Sequence, residues 1–364
     1  MTGLTGANGC VIMGSDPATR YRRILLTRLK FIGDIILTTP AIRNVRSAFP
    51  EAFIAYLGDK EAVSLLRGNP HLNEIIPFDF GLPAIIEQTR VMLLLRKRKF
   101  DLVVDLFGNP RSALITRASG APVRVGPERH GRGRLYTIQV HDDGRPKSAI
   151  AFHYQYLAAA GIPTLPARTE IFLDESEHRE ARIFLRWLGA DGAGSPDVGK
   201  PIIGMHPGGT WPAKRWFPER FAELADLIAA RLGAQVILTV GSKEEAIALA
   251  VAKHATSSVK VLSVLPLRQL AAVIAQCKVF ISNDAGPMHI AAALGVPTIG
   301  LFGPGEENIW FPYSGPGFKA LRRDVPCHPC HLDVCNRQGE DFMECMHLLS
   351  VQDVFNAVAE AFTR

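Results

Sequence analysis

The stretch Lys278–Pro304 constrains this chain more than any other, because a strand, a turn, a helix and a second strand follow one another there without a break. The apolar segments Val279–Ser282 and Thr298–Phe302 are predicted strands, and Met288–Leu294 is the helix between them. A strand that leads directly into a helix is the repeating unit of α/β folds. The start of such a helix offers unpaired N–H groups and the positive end of the helix dipole. The stretch therefore predicts a place to hold phosphate.

The turn within this stretch has the composition of a helix start. Asn283 and Asp284 are predicted to cap the helix with their side chains, and Pro287 suits its first turn. The G-x-G-x-x-G fingerprint is absent, so the turn is not the dehydrogenase version of a phosphate-binding turn. One more βα unit without a ligand is the alternative interpretation.

Length and composition favour a globular protein of two domains. The chain has 364 residues, of which 47% are hydrophobic and 21% are charged. No apolar run reaches the roughly 18 residues that span a bilayer. Residues 1–20 lack a charged segment leading into an apolar core, so no signal peptide is expected and 1–21 is predicted to be an N-terminal extension.

The charge balance indicates anionic partners. The formal net charge is +6 and the isoelectric point is about 9.0. Basic residues do not alternate with aromatic ones, which argues against a nucleic-acid surface. Phosphorylated small molecules or an anionic membrane surface fit the charge better.

The N-terminal half alternates strands and helices. Arg22–Leu29 is a predicted buried strand, after which Gly33 and Asp34 open a helix that Pro40 kinks or restarts. Asp101–Leu106 is a continuous apolar strand, typical of a parallel sheet covered on both faces. Ligands bind at the carboxyl ends of strands in such sheets, which places the turns that follow these two strands on the functional edge.

The C-terminal half repeats the pattern. The predicted strand Pro201–Met205 runs into His206–Thr210, where two glycines let backbone amides approach a ligand. Val236–Val240 is the next strand, and Ser350–Phe362 is a final amphipathic helix. This half is predicted to form a second Rossmann-like domain.

Four segments together resemble the ADP-heptose:lipopolysaccharide heptosyltransferases, a family of inverting GT-B glycosyltransferases. They lie at 23–50, 101–126, 206–224 and 281–304 and follow the family's order and spacing. The resemblance implies an α/β fold of GT-B type, with two Rossmann-like doubly wound domains facing a central cleft. It assigns 22–173 to the acceptor and 174–345 to the nucleotide sugar, and it implies that 346–364 packs back towards the N-terminal domain.

The resemblance also implies roles for particular residues. Asp34 matches the proposed general base, although an aspartate that caps the first helix is the alternative. Glu244 matches the residue that binds the nucleoside ribose, with Glu245 as the alternative register. The full set implied for donor binding is Gly208, Thr210, Lys214, Glu244, Asp284, Ala285, Gly286 and His289.

The acceptor segment is less complete. Asn109, Arg111 and Ser112 match it and are expected to bind the acceptor, where an arginine suits a carboxylate or a phosphate. The chain has Phe107 where many members have glutamine, so the acceptor contacts differ at that position.

No cofactor and no catalytic metal are expected, because Lys214 and a helix N-terminus would offset the charge of a departing diphosphate. Four cysteines stand in the spacing C-x2-C-x4-C-x9-C at 327, 330, 335 and 345. Reduced thiols in an irregular loop are the preferred interpretation, and a structural zinc is the alternative.

The resulting hypothesis is an enzyme that transfers heptose from an ADP-activated donor to a lipid-linked inner-core acceptor, with cytoplasmic location and peripheral contact with the inner membrane. A sugar-nucleotide epimerase or hydrolase of GT-B fold is one alternative. A non-catalytic nucleotide-binding homologue is another.

Overall fold

The computed structural model describes residues 20–128, 131–190 and 199–364. The predicted N-terminal extension, residues 1–21, lies almost wholly outside the described residues. Residues 191–198, most of the linker-like glycine-rich segment 189–199, lie outside them as well. Within the described part, no helix has both the length and the apolar character needed to cross a membrane.

The first half of the chain builds one parallel sheet of six strands in the order β3-β2-β1-β4-β5-β6. The inner strands β1 and β4 are covered on both faces, which explains their continuous apolar sequence. The strands are β1 (Arg23–Arg28), β2 (Phe53–Asp59), β3 (Glu74–Phe78), β4 (Leu102–Asp105), β5 (Val123–Pro127) and β6 (Ile138–Val140).

Helices connect these strands. The predicted helix from Gly33 to Ala48 is two helices, because the chain restarts at Thr39 with Pro40 in the first turn. The helices of this half are α1 (Ile32–Leu37), α2 (Thr39–Ala48), α3 (Ala84–Arg98), α4 (Pro110–Ala118) and α5 (Ala149–Ala159).

The second half builds another parallel sheet of six strands in the order β12-β11-β10-β7-β8-β9. Its strands are β7 (Ile202–His206), β8 (Gln235–Leu238), β9 (Val259–Val261), β10 (Val279–Asn283), β11 (Thr298–Leu301) and β12 (Phe318–Leu321). Its helices are α6 (Glu175–Trp187), α7 (Pro218–Leu232), α8 (Glu245–His254), α9 (Leu267–Ile274), α10 (Gly286–Ala293), α11 (Glu307–Trp310), α12 (Glu344–His347) and α13 (Val351–Phe362).

The C-terminal helix α13 packs on the second domain, against α7 and the strands β10, β11 and β12. Its apolar stripe, which includes Val354 and Val358, is buried in the core cluster of that domain. The expectation that this segment packs back towards the N-terminal domain is therefore wrong. The amphipathic pattern predicted the helix, but it did not say which apolar surface the helix would cover.

The two domains meet where α1 packs against α10. Each helix follows the carboxyl end of an inner strand, β1 in the first sheet and β10 in the second. The functional edges of the two sheets are thus brought together at this contact.

Candidate functional site

Asp34 is the third residue of α1, so it is not the N-cap, but its carboxylate accepts from the N–H of the N-cap residue. The N-cap is Phe31, whose N–H donates to Asp34 Oδ2 at 3.3 Å. The other carboxylate oxygen, Oδ1, is paired with the guanidinium of Arg28 at the end of β1. The side chain of Asp34 is only 12% exposed. These two contacts therefore hold its carboxylate in one orientation, close to the carboxyl end of β1.

Arg28 was not singled out from the sequence, yet it contacts three groups at the carboxyl ends of β1 and β4. Besides pairing with Asp34, it donates to the carbonyl of Leu106 at 2.9 Å, and its guanidinium lies 4.6 Å from the centroid of the Phe107 ring. Phe107, which departs from the family pattern, thus supports the residue that holds Asp34. The only sequence signal was an arginine at the end of a buried strand.

Lys214 and Asp284 form an ion pair on the second domain, beside the start of α10. Lys214 Nζ lies 2.5 Å from Asp284 Oδ2 and 4.5 Å from the centroid of the Trp211 ring. Both side chains are largely buried. Asp284 directly precedes the N-cap of α10, which is Ala285, so the lysine lies beside the start of that helix.

Asn283 and Asp284 do not cap α10, contrary to the sequence-based expectation. Asn283 accepts from the N–H of Trp216 at 3.1 Å and donates to the carbonyls of Pro207 and Gly208 at 2.8 and 3.0 Å. This buried amide joins three loops of the second domain. Its side chain is therefore committed to tertiary contacts, and that of Asp284 to Lys214.

Glu244 lies between the two glycine turns of the second domain. It accepts from the N–H of Gly209 at 2.7 Å and from that of Gly241 at 2.8 Å. His206 Nε2 lies 3.4 Å from the same carboxylate. Glu245 is exposed. Glu244 therefore lies beside the turn His206–Thr210, which contains two of the residues predicted to bind the donor. Of these two, Gly208 is buried and Thr210 is exposed.

His289 belongs to the second domain but touches the first. Its Nδ1 is hydrogen-bonded to the hydroxyl of Tyr313 at 2.6 Å. A Cβ placed on Gly33 would lie 2.4 Å from His289 Cδ2. Burial lowers the pKa of His289, although the carboxylates of Asp284 and Asp34 act in the opposite direction. The imidazole is thus neutral at physiological pH and packed against the helix that carries Asp34.

A second close contact between the two helices places a glycine of α10 against a side chain of α1. A Cβ on Gly286, the first residue of α10, would lie 3.3 Å from Cβ and Cγ2 of Ile32 in α1. Each helix therefore presents a glycine to a side chain of the other. Small residues at a helix contact let the two backbones approach closely, which brings Asp34 towards the start of α10.

The acceptor residues predicted after β4 are mostly engaged in the fold. Asn109 is the N-cap of α4 and accepts from the N–H of Ser112 at 2.7 Å. Ser112 is fully buried, so its side chain does not face an acceptor in this conformation. Arg111 is partly exposed and lies 5.3 Å from the centroid of Phe80. Asn109 and Arg111 are both partly exposed, but the side-chain oxygen of Asn109 is used as the helix cap, which leaves Arg111 as the charged side chain at the surface.

The four late cysteines lie near one another as free thiols. Burial raises the pKa of Cys345 to about 11, and Cys327, Cys330 and Cys335 add to this effect. Among the described residues, no group of three or more histidine, cysteine, aspartate or glutamate side chains is arranged to hold a metal ion. The reduced-thiol interpretation stays a prediction.

A sequence model of glycosyltransferase family 9 (heptosyltransferase) matches residues 89–339, more than half of the chain. The chain belongs to this family. It is therefore a glycosyltransferase, as the resemblance implied.

Relatives of known function cover most of the chain. It is 29% identical to lipopolysaccharide heptosyltransferase 2 of Salmonella typhimurium over 91% of its length and 100% of the relative. It is 27% identical to lipopolysaccharide heptosyltransferase 1 of Pseudomonas aeruginosa, over 87% of this chain and 88% of that protein.

Solved structures share the architecture. A family 9 glycosyltransferase from Veillonella parvula superposes with a TM-score of 0.81 at 25% identity, covering 94% of this chain and 97% of the other. The E. coli ADP-heptose lps heptosyltransferase II gives 0.75 at 24% identity, with 94% and 98% covered. The GT-B fold, with two Rossmann-like domains, is thus confirmed.

Proposed function

We propose that this enzyme transfers heptose from an ADP-activated donor to a lipid-linked lipopolysaccharide inner-core acceptor, with inversion at the anomeric carbon. The observation that carries the proposal is the contact of α1 with α10, which brings the first turn of α1, with Asp34, against the start of α10 in the other domain. The relatives named above are lipopolysaccharide heptosyltransferases, which supports this choice of donor and acceptor.

In the proposed reaction, Asp34 accepts the proton of the acceptor hydroxyl while the hydroxyl oxygen forms its bond to C1 of the heptose. The bond from C1 to the diphosphate oxygen breaks, and its electron pair leaves with ADP. A single displacement from the opposite face inverts C1. The pairing with Arg28 keeps the carboxylate in the orientation from which it accepts this proton.

Lys214 and the start of α10 are the groups proposed to offset the negative charge of the departing ADP. Lys214 offers a cation, and the start of α10 offers the N–H of Gly286 and the positive end of the helix dipole. Pro287 has no N–H, and the N–H of Met288 donates to the carbonyl of Ala285. The lysine and the helix start stabilise the developing charge on the diphosphate, and the lysine must exchange part of its contact with Asp284 for a phosphate oxygen. The proposed reaction uses no metal or cofactor.

A donor and acceptor screen, read by mass spectrometry of the product, tests the proposal. We expect product mass to rise by one heptose only when ADP-heptose and an inner-core acceptor are both present. Release of ADP without any acceptor would instead indicate a hydrolase or an epimerase.

The variant Asp34→Ala tests the role of the base. It should lose at least about a thousandfold in turnover, since it removes the proton acceptor, while ADP binding measured by calorimetry stays within about twofold. Wild-type turnover in this variant would rule out Asp34 as the base. Nucleotide binding without turnover in the wild type would support the non-catalytic alternative.

A further inference from the structure

The segment that ends the β3–α3 loop and begins α3 exposes an apolar run. Every residue from Gly81 to Ile86 is exposed, with side chains of Leu, Pro, Ala, Ile and Ile in succession. Ile85 is 81% exposed, Ile86 is 60% exposed and Leu82 is 45% exposed. A run of exposed apolar residues is costly in water and is kept where it has a function.

The core of the first domain does not need this run. Helix α3 faces the core with Val91 and Leu95, which are fully buried, whereas Ile85 and Ile86 stand at its free start. The apolar residues that stabilise the helix are therefore a different set from those that are exposed.

The run lies at the functional edge of the sheet. β1 and β3 are parallel strands of one sheet, so their carboxyl ends share an edge. Lys30, which follows β1, has its Nζ 4.2 Å from the centroid of Phe80, which follows β3. The next residue, Phe31, is 66% exposed and caps the helix that carries Asp34. We call the surface formed by Phe31, Leu82, Ile85 and Ile86 the Leu82 patch.

Cations border the Leu82 patch without carboxylate partners. Lys30 and Arg111 both contact the ring of Phe80, and within the described residues neither forms an ion pair. The acidic groups on either side of the run are already paired. Asp79 lies 2.8 Å from Lys60, and Glu87 is buried against Arg90 at 2.5 Å.

We propose that the Leu82 patch docks the enzyme on an anionic membrane surface. The apolar side chains would enter the boundary between headgroups and acyl chains, and Lys30 and Arg111 would lie at the level of the phosphates. The proposal rests on the proposed function for one point, that the acceptor is lipid-linked. It adds that the acceptor sugar reaches Asp34 from this face of the first domain.

The test uses the full chain and vesicles without donor or acceptor, so it does not depend on the reaction. Wild-type protein should co-sediment with vesicles of phosphatidylethanolamine and phosphatidylglycerol, and more weakly with phosphatidylcholine alone. The variant Ile85→Ser/Ile86→Ser should bind the anionic vesicles about tenfold more weakly, because two exposed apolar anchors are lost. Lys30→Gln should reduce the preference for the anionic lipid.

The matched control is Ile183→Ser/Leu249→Ser, which removes two exposed apolar side chains from helices of the second domain. It should bind vesicles like the wild type. Ile85→Ser/Ile86→Ser should also keep its turnover on a delipidated acceptor and lose it selectively on acceptor embedded in vesicles. Since vesicle binding needs no turnover, an inactive wild type that still binds through the patch would overturn the proposed function alone.

Two results would overturn the docking proposal. One is vesicle binding that is absent, or equal in the wild type and in Ile85→Ser/Ile86→Ser. The other is a wild-type dimer, in analytical ultracentrifugation, that this variant makes monomeric while vesicle binding is unchanged. That outcome would assign the patch to a second copy of the chain.

Discussion

Gly33 and His289 are in contact across the two domains, and the contact leaves no room for a side chain at residue 33. A Cβ at that position would lie 2.4 Å from His289 Cδ2 and 2.9 Å from Nε2. Since Asp34 is the next residue, this contact fixes how far the carboxylate lies from the start of α10. This contact is therefore one of those that set the distance between the two halves of the site.

Gly33→Ala should lower turnover by about 10- to 100-fold, because displacing α1 by about 1 Å from α10 misplaces the base. The residue is in the first turn of α1, where alanine has the higher helix propensity. A loss of activity would therefore report the domain contact and not a weakened α1. Steady-state kinetics of Gly33→Ala, His289→Ala and the double variant would measure it. Additive losses in the double variant would argue that the two residues do not interact.

Arg28→Lys should lower turnover by about tenfold while ADP binding is unchanged. A lysine cannot pair with Asp34, bind the carbonyl of Leu106 and cover Phe107 at once, as the planar guanidinium does. Arg23→Lys is the matched control, since Arg23 begins the same strand, lies over Phe53 and binds a backbone carbonyl away from the site. Equal losses in both variants would mean that the strand, and not Asp34, is what the substitution disturbs.

Glu244→Gln should weaken donor binding about tenfold, whereas Glu245→Gln should leave it unchanged. The Glu244 carboxylate accepts from the amides of Gly209 and Gly241, and a neutral amide oxygen makes weaker hydrogen bonds with both. Titration calorimetry with ADP and ADP-heptose measures the effect. A loss with Glu245→Gln in place of Glu244→Gln would favour the other register for the ribose contact.

His153 should make the enzyme less stable in mild acid. Burial lowers the pKa of this histidine to about 3, and its Nδ1 donates to the carbonyl of Leu37 at 3.2 Å. Because the folded pKa lies below the unfolded value of about 6.5, its contribution is complete above that pH and is lost as the pH falls towards 3.

Between pH 7 and pH 5, the shifted pKa of His153 should by itself lower the free energy of unfolding by about 2 kcal/mol. His153→Asn keeps an N–H donor near the position of Nδ1 without a titratable ring, so its unfolding in urea should depend less on pH by this amount. The same pH dependence in both proteins would show that other groups determine acid stability.

Much of the architecture follows from local sequence. Continuous apolar runs predicted the inner strands, and glycine and proline marked the turns and the restart of α2 at Thr39. The position of Asp34 and of the β10–α10 turn at strand ends was also local information, since both lie next to a buried strand. These features depend on backbone preferences and burial over a few residues, which the sequence contains directly.

Tertiary structure decided which partner each polar group takes. Asn283 and Asp284 suit a helix cap by composition, but Trp216 and Lys214, which are distant in sequence, pair with them instead. The same holds for Arg28 and for the surface covered by α13. The contact of Gly33 with His289 belongs to this class too, because two helices from different domains must meet before a missing Cβ has any consequence. The sequence determined the elements and the edge at which chemistry occurs, and the packing of the two domains determined the distances across the site.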